Sequence, residues 1–388
     1  MMNKQITSIF LISGSCIGAG MFALPLAFAQ IGIITSIIII VLIWWLTYYT
    51  SLISIELNLN SNNNLNLTEE FSGKKASLFE QININLLLYS LLSAYIYSCS
   101  SIMQKLIGIN DNLFLIQTIL TILIIILFLF KEEIISKFNN IAFIMFVFLF
   151  ILMIFKILTS INLSNVPLYE NSNFTKIFSI SSLVFTSFGY SIIFNAIRDY
   201  CGNDSKMIKK AYFYGSIIPM IIYIIWACGS LNIIYNNNID FYNSMINNNI
   251  EIGDFIKQLS KYINFQNLQF FIYIISILAI ITSIIGAGFC LKNSFKNILK
   301  NKDIKNYNII SSLITIIPPY IISAFIPNAF VKILNFGGIF LINVSILLPI
   351  YLYFKANIEK NYIKILNKYA LIFCFIIGIL MIILSLIY

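Results

Sequence analysis

Of the 388 residues, 59% are hydrophobic and 10% charged, with a mean hydropathy of +0.90. A soluble globular protein carries about a quarter charged residues, so a small core wrapped in a polar surface is excluded and most of this surface must face lipid. The net charge of +9 does not point to nucleic acid, because the cations sit in short loops between apolar runs, where they orient spans.

At about 20 residues plus a loop per span, the length fits one integral domain of about ten to twelve spans. The abundance of Ile, Asn, Phe and Lys has the look of drift towards A/T-rich codons, so no single Asn or Ile carries an argument. The first apolar run, Ile6–Gln30, follows Lys4 and holds Ala27–Phe28–Ala29, which imitates a cleavage site. It exceeds the roughly 7–15 residues of a signal core and is read as a retained helix. Further runs of spanning length are Ile31–Ile55, Ile82–Ile107, Leu113–Phe130 and Phe138–Leu158. A second five follow at Ile180–Ile197, Ala211–Ile234, Leu268–Leu291, Ile309–Ile326 and Ala329–Phe354, and an eleventh at Tyr369–Tyr388. With the N-terminus in the cytoplasm, 18 of the 24 cations fall inside and six outside, a strong positive-inside bias.

The one long outside loop, Tyr235–Asn267, carries Ile252, Phe255, Ile256, Leu259 and Ile263 at helical spacing, with Asp254, Lys257 and Lys261 opposite. Such a helix either lies on the membrane surface or caps an external vestibule, and amphipathicity alone does not separate the two. The six cysteines are widely spaced and mostly inside apolar runs, with neither metal-ligand nor disulfide spacing; they are read as small packing residues.

The most informative stretch is Ser13–Gly14–Ser15–Cys16–Ile17–Gly18–Ala19–Gly20–Met21, where three glycines and several small residues coincide near the middle of the first span. Each Gly costs a helix about 1 kcal/mol relative to Ala. Backbone can leave the helix at membrane depth only where it lines protein or a watery cavity. The stretch therefore predicts two half-helices. The N-terminal end of the second, at Gly18–Met21, suits a carboxylate; unwound carbonyls of the first suit an ammonium group or a cation. Close helix packing through Gly14, Gly18 and Gly20 is the alternative reading. The sixth span repeats the feature at Thr186–Ser187–Phe188–Gly189–Tyr190–Ser191, with Asn195 one turn further on. An odd number of spans per repeat inverts the second repeat. Paired interruptions at matching places of inverted halves point to a transport site.

Gly14–Ser15–Cys16–Ile17–Gly18–Ala19–Gly20–Met21–Phe22–Ala23–Leu24–Pro25 resembles the opening signature of the hydroxy and aromatic amino acid permeases. These are the bacterial tyrosine- and tryptophan-type proton symporters of the amino acid–polyamine–organocation superfamily. Matches follow along nearly the whole chain: Glu56 at the end of the second span, Ala94–Tyr95–Ile96 in the third and Thr186–Tyr190 in the sixth. Tyr214–Gly215–Ser216 and Ile225–Trp226 follow in the seventh, Thr282–Ser283 with Gly286 in the eighth, and Pro318–Pro319 before Pro327 in the ninth. There are departures. Where the family usually has His and then Pro in the sixth span, this chain has Ser191 and Asn195. The Lys that many members carry near Ile144–Phe148 and the Asp near Asn293 are not there, and the chain has no His.

The resemblance implies an all-α polytopic protein with a leucine-transporter-type five-plus-five inverted repeat. Repeat one would cover about 6–158, repeat two about 180–354, with an extra C-terminal helix at 369–388. It also implies uptake of an aromatic amino acid, tyrosine first and tryptophan second, coupled to protons across the bacterial inner membrane. The backbone of Gly14, Ser15, Cys16, Ile17, Gly18, Ala19 and Gly20, with that of Ser187, Phe188, Gly189, Tyr190 and Ser191, would bind the amino and carboxylate groups. Ser15, Cys16, Ala19, Phe188 and Tyr190 would shape the ring pocket, and Tyr95 would face the substrate. Glu56, which aligns with the family acid, and the Thr282–Ser283 hydroxyls are the candidates for coupling. No cofactor or metal is expected. An intramembrane enzyme would need metal-binding acids, a His or a Ser–Lys pair at depth, and a channel a polar stripe over several helices; neither pattern is found.

Overall fold

In lipid every backbone N–H and C=O must be satisfied within the protein, which leaves helices as the spanning element for a chain patterned like this one. The computed structural model describes residues 4–61, 67–108, 112–162, 165–168, 174–201, 204–247, 250–263, 269–326, 329–356 and 366–387, and every regular element among them is helical. The first span is α1 (Lys4–Cys16), a 3₁₀ turn (Ala19–Phe22) and α2 (Ala23–Phe28), bent by 45° at the break. Then come α3 (Ile33–Leu59), the short α4 (Leu67–Ser72), α5 (Lys74–Ile107), α6 (Leu113–Leu129) and α7 (Glu132–Ser160). The sixth span is α8 (Phe174–Ser187), a 3₁₀ turn (Gly189–Ile193) and α9 (Phe194–Cys201). α10 (Ser205–Asn237), α11 (Ile239–Ile246), α12 (Ile252–Tyr262), α13 (Gln269–Asn301) and α14 (Tyr307–Phe325) lead to α15 (Ala329–Ile342). This last runs through a π turn into α16 (Leu348–Lys355), and α17 (Lys368–Ile387) follows.

Among the described residues, eight helices are long and apolar enough to cross a membrane, and the bent pair α1–α2 makes a ninth. The 17-residue α6 and the interrupted α8–α9 bring the reading to the expected eleven. Several helices outrun their apolar cores: α5 starts at Lys74 rather than Ile82, and α13 continues to Asn301 rather than Leu291. Helical bonding continues into the headgroup zone, where hydropathy no longer marks it. Asp204 starts α10 early by accepting the N–H groups of Lys206 and Met207 at 3.0 and 3.1 Å.

The loop helix α12 turns Ile252, Phe255, Ile256 and Leu259 into the protein, against α5, α10, α13 and α2. Of the two readings its pattern allowed, the structure selects the cap. It is fastened at its start, where Glu251 accepts the hydroxyls of Tyr97 at 3.0 Å and Ser101 at 3.2 Å, and Lys105 pairs with Asp254 at 2.8 Å. Gly253 lies so close to α5 that a Cβ would come within 2.4 Å of the Ser101 backbone oxygen.

α8, which carries one side of the sixth-span break, is held by α15. Ser182 donates to Asn335, Thr186 donates to the Leu334 carbonyl at 3.1 Å, and a Cβ on Gly338 would stand 2.3 Å from the Ser182 backbone oxygen. Gly286 on α13, by contrast, has nothing within 4 Å of the place its Cβ would take. Gly338→Ala should therefore cost about 1–3 kcal/mol by forcing α15 off α8. Gly286→Ala should be neutral or gain up to about 1 kcal/mol of helix propensity. Thermal midpoints of the two purified variants in detergent check this: Gly338→Ala melts below the parent and Gly286→Ala does not.

Candidate functional site

The two interruptions meet inside the bundle. α1 loses its register after Ile17 N–H bonds Ser13 O at 3.0 Å; Gly18 is extended (φ −160°, ψ −155°) and the chain restarts as the 3₁₀ turn. α8 stops at Ser187, and Phe188 leaves helical geometry (φ −95°, ψ 36°). The two helix ends then present carbonyls with no next turn to bond. Cys16 O and Ser187 O converge on one atom, the Tyr223 hydroxyl of α10, at 2.6 Å each. Tyr223 is fully buried, and the Phe188 ring meets it edge-on with centroids 5.1 Å apart.

Beyond its break, the restarted first span offers N–H groups. Ala19 N–H donates to Ser283 Oγ at 3.1 Å, and that hydroxyl donates in turn to Ala279 O at 2.8 Å. Gly18 is required here by close approach, since a Cβ would lie 2.7 Å from Ser283 Oγ. A Cβ on Gly20 would sit 3.4 Å from Ser187 Oγ, so the small residues of the two breaks touch. Trp226, one turn beyond Tyr223 on α10, donates Nε1–H to Met21 O at 3.0 Å and packs on Phe22. Carbonyl ends held by Tyr223 and the N-terminal end of a restarted helix held by Ser283 thus meet in one buried cluster. This is the polarity a zwitterion needs, and it uses no ionised side chain.

Of the sequence-derived residues, Cys16, Gly18, Ala19, Gly20, Ser187, Phe188 and Ser283 come together here, with Ile17 half-buried in the break. Tyr95 is buried on α5 and is an electrostatic neighbour of Tyr223. Gly14 instead faces Phe143 of α7, and Ser15 is exposed with its hydroxyl on Ile12 O, so neither side of α1 that they occupy faces the cluster. Gly189 lies towards Leu341 of α15, and Ser191 bonds the Ser345 hydroxyl at the π turn. Tyr190 is buried against Tyr212, ring centroids 5.6 Å apart, and Thr47, Ser51 and Ser216 surround its hydroxyl. Thr282 bonds Ala279 O of its own helix. Glu56 lies away from the breaks, fully buried on α3 and in electrostatic contact with Tyr353. The side chains of Asn195 and Asp199 lie outside the described residues, as does Pro327.

The sequence pattern left Tyr223 unmarked and gave Trp226 only as part of the Ile225–Trp226 match, with no role. Their signal was available: two aromatic side chains with polar handles, three apart on one face of an otherwise apolar run, opposite a span already known to be broken.

Gly18→Ala should push Ser283 off the Ala19 N–H. Radiolabelled aromatic amino acid uptake by cells is then expected to fall by about tenfold, the cost of one unmade buried hydrogen bond, at unchanged membrane expression. Gly18→Leu should abolish uptake. Parent-like uptake by both variants would reduce Gly18 to a packing residue.

A model of the tryptophan/tyrosine permease family matches residues 1–385. The Tyrosine-specific transport system 1 of Haemophilus influenzae is 25% identical over 364 residues, covering 92% of this chain and 89% of that one. The Low affinity tryptophan permease of Proteus vulgaris is 26% identical over 376 residues (92% and 88%), and Glutamine transporter 2 of Aliivibrio fischeri 24% over 358 residues (89% and 88%). Among solved structures, a manganese transporter from Eremococcus coleocola, crystallised with an aromatic bis-isothiourea substituted compound, superposes with a TM-score of 0.58 at 12% identity. The match covers 100% of this chain and 87% of that one, a likeness of fold alone. On the family match over almost its full length, the chain belongs to the tryptophan/tyrosine permease family.

Proposed function

We propose that this permease imports an aromatic amino acid, tyrosine first and tryptophan second, by alternating access, driven by protons. It would sit in a bacterial inner membrane with its N-terminus in the cytoplasm. It is a transporter and not an enzyme. The observation that carries the substrate class is the cluster where the two broken helices meet, with carbonyl ends and an N-terminal end beside the aromatic rings of Phe188 and Tyr223. The relatives named as tyrosine and tryptophan carriers support the same reading. The ammonium group would be taken on the side of Cys16 and Ser187, the carboxylate at Gly18–Gly20, and the ring among Phe188, Tyr223 and Tyr95. Moving one five-span repeat (about 6–158) against the other (about 180–354) would expose the site to either side in turn.

Ser191 and Asn195 stand where the family resemblance places His and Pro, so no titratable side chain is found at those positions. Glu56 is the one fully buried acid among the described residues, and a carboxyl can bind and release a proton where a hydroxyl cannot. We assign the proton to it. The replaced positions also favour a second reading, an exchanger of the same fold that moves the amino acid without a proton.

Purified protein in liposomes should exchange labelled tyrosine for internal tyrosine and, more slowly, for tryptophan. Exchange of glutamine but of neither aromatic amino acid would overturn the substrate class. Glu56→Gln should keep this exchange and lose accumulation driven by an imposed pH gradient. If the variant still concentrates tyrosine under that gradient, Glu56 is structural. If the parent does not concentrate it either, the exchanger reading stands.

A further inference from the structure

The Tyr223 hydroxyl holds the position at which the broken helices aim their carbonyls. Ends of α1 and α8 would ordinarily need a shared positive charge to satisfy two inward-facing oxygens so close together. Here one phenol proton faces two acceptors at 2.6 Å each, inside protein, on a side chain with no exposed surface. The side chain cannot easily leave, because Phe188 closes on its ring and the next turn of α10 is pinned by the Trp226 bond to Met21 O. Its other polar neighbours are the Cys16 thiol and Tyr95, both neutral groups.

We propose that Tyr223 is the positioning residue of the site and does there what a bound cation would otherwise do. Its hydroxyl ties the ends of α1 and α8 at a fixed spacing, so that substrate binding needs no inorganic cation at this point. Each carbonyl oxygen has two lone pairs, so each one held by Tyr223 keeps a second acceptor site, to which the substrate's ammonium group can donate. The ammonium part of this inference rests on the amino acid transport proposed above; the tie between the helix ends does not.

The proposal separates Tyr223 from a residue that merely fills space. Tyr223→Phe keeps the ring and deletes the donor, leaving two buried carbonyl oxygens facing a C–H in place of the proton they shared.

The test uses the full-length protein, with Na⁺ or choline as the sole cation. The parent should melt at the same temperature in both and exchange tyrosine at rates within about twofold. The Tyr223→Phe protein should melt below the parent in both salts. Its exchange should be about tenfold slower than the parent in both, the loss expected for a buried hydrogen bond. The melting comparison needs no substrate. If the parent exchanges no aromatic amino acid, the transport reading fails while the melting curves still decide the role of Tyr223. A Tyr223→Phe protein that melts and exchanges like the parent, or a parent that is itself stabilised by Na⁺, overturns the proposal. Should Tyr223→Phe fail to fold, 4-aminophenylalanine at position 223 supplies two N–H donors and is expected to restore both folding and exchange. A protein no better than Tyr223→Phe overturns it as well.

Discussion

A chain that breaks two helices in the middle of a membrane must find internal partners for every backbone group it frees. The rest of the structure depends on how those partners are supplied. Lipid offers none, and each unmet group costs several kcal/mol. Here the donors come from side chains of neighbouring, unbroken helices. Tyr223 and Trp226 of α10 serve Cys16 O, Ser187 O and Met21 O, while Ser283 of α13 accepts from Ala19 N–H. The breaks are thus built in pairs with their supports, and neither would be tolerable alone.

α10 is the staple of this arrangement. Besides Tyr223 and Trp226, its Gly215 carbonyl accepts the Ser13 hydroxyl at 2.9 Å, and a Cβ there would strike Ile12 at 2.7 Å. Its Ser216 accepts from the Trp44 indole of α3 at 3.0 Å. One continuous helix therefore touches the first span on both sides of its interruption and touches the second and sixth spans as well. Pro219 stands between these two grips and has no N–H to give the Gly215 carbonyl, the oxygen that the Ser13 hydroxyl takes.

The fold was legible because its main constraint is written in composition. Apolar runs of spanning length, the lysine bias and two small-residue interruptions are direct consequences of the bilayer, and they predict eleven spans with breaks in the first and sixth. Helix ends were less legible: α5 begins at Lys74, where polar residues continue a helix that hydropathy no longer reports. The site was half legible. Gly18 and Gly20 declare themselves by their cost, but which neighbour approaches a glycine is a tertiary fact, and Ser283 and Ser187 could not be paired with them from spacing. Ser15 and Gly14 share the motif yet occupy other faces of α1, because 100° per residue carries a contiguous stretch around the helix. Tyr223 was invisible for a different reason. A tyrosine in an Ile-rich run looks like packing until the carbonyls it must serve are placed.

The charged groups complete the argument about driving force. Lys292, almost fully buried, donates to Phe128 O at 2.5 Å and so caps the C-terminal end of α6, a 17-residue helix short for a span of about 20. Lys296 pairs with Glu132 at 2.8 Å, Lys105 with Asp254, and Arg198 reaches Asn58 Oδ1 at 3.4 Å. These charges close helix ends and loops, and none of them borders the cluster. Glu56 differs in being an acid buried on α3, the same helix whose Thr47 and Ser51 lie beside the Tyr190 hydroxyl at the sixth-span break. A proton at Glu56 can bias the site only through an element that touches both, and α3 is such an element: its Trp44 is bonded to α10 and its Glu56 turn packs on α16. The proposed proton coupling then turns on whether α3 has two packings against the sixth span, one for each state of the carboxyl.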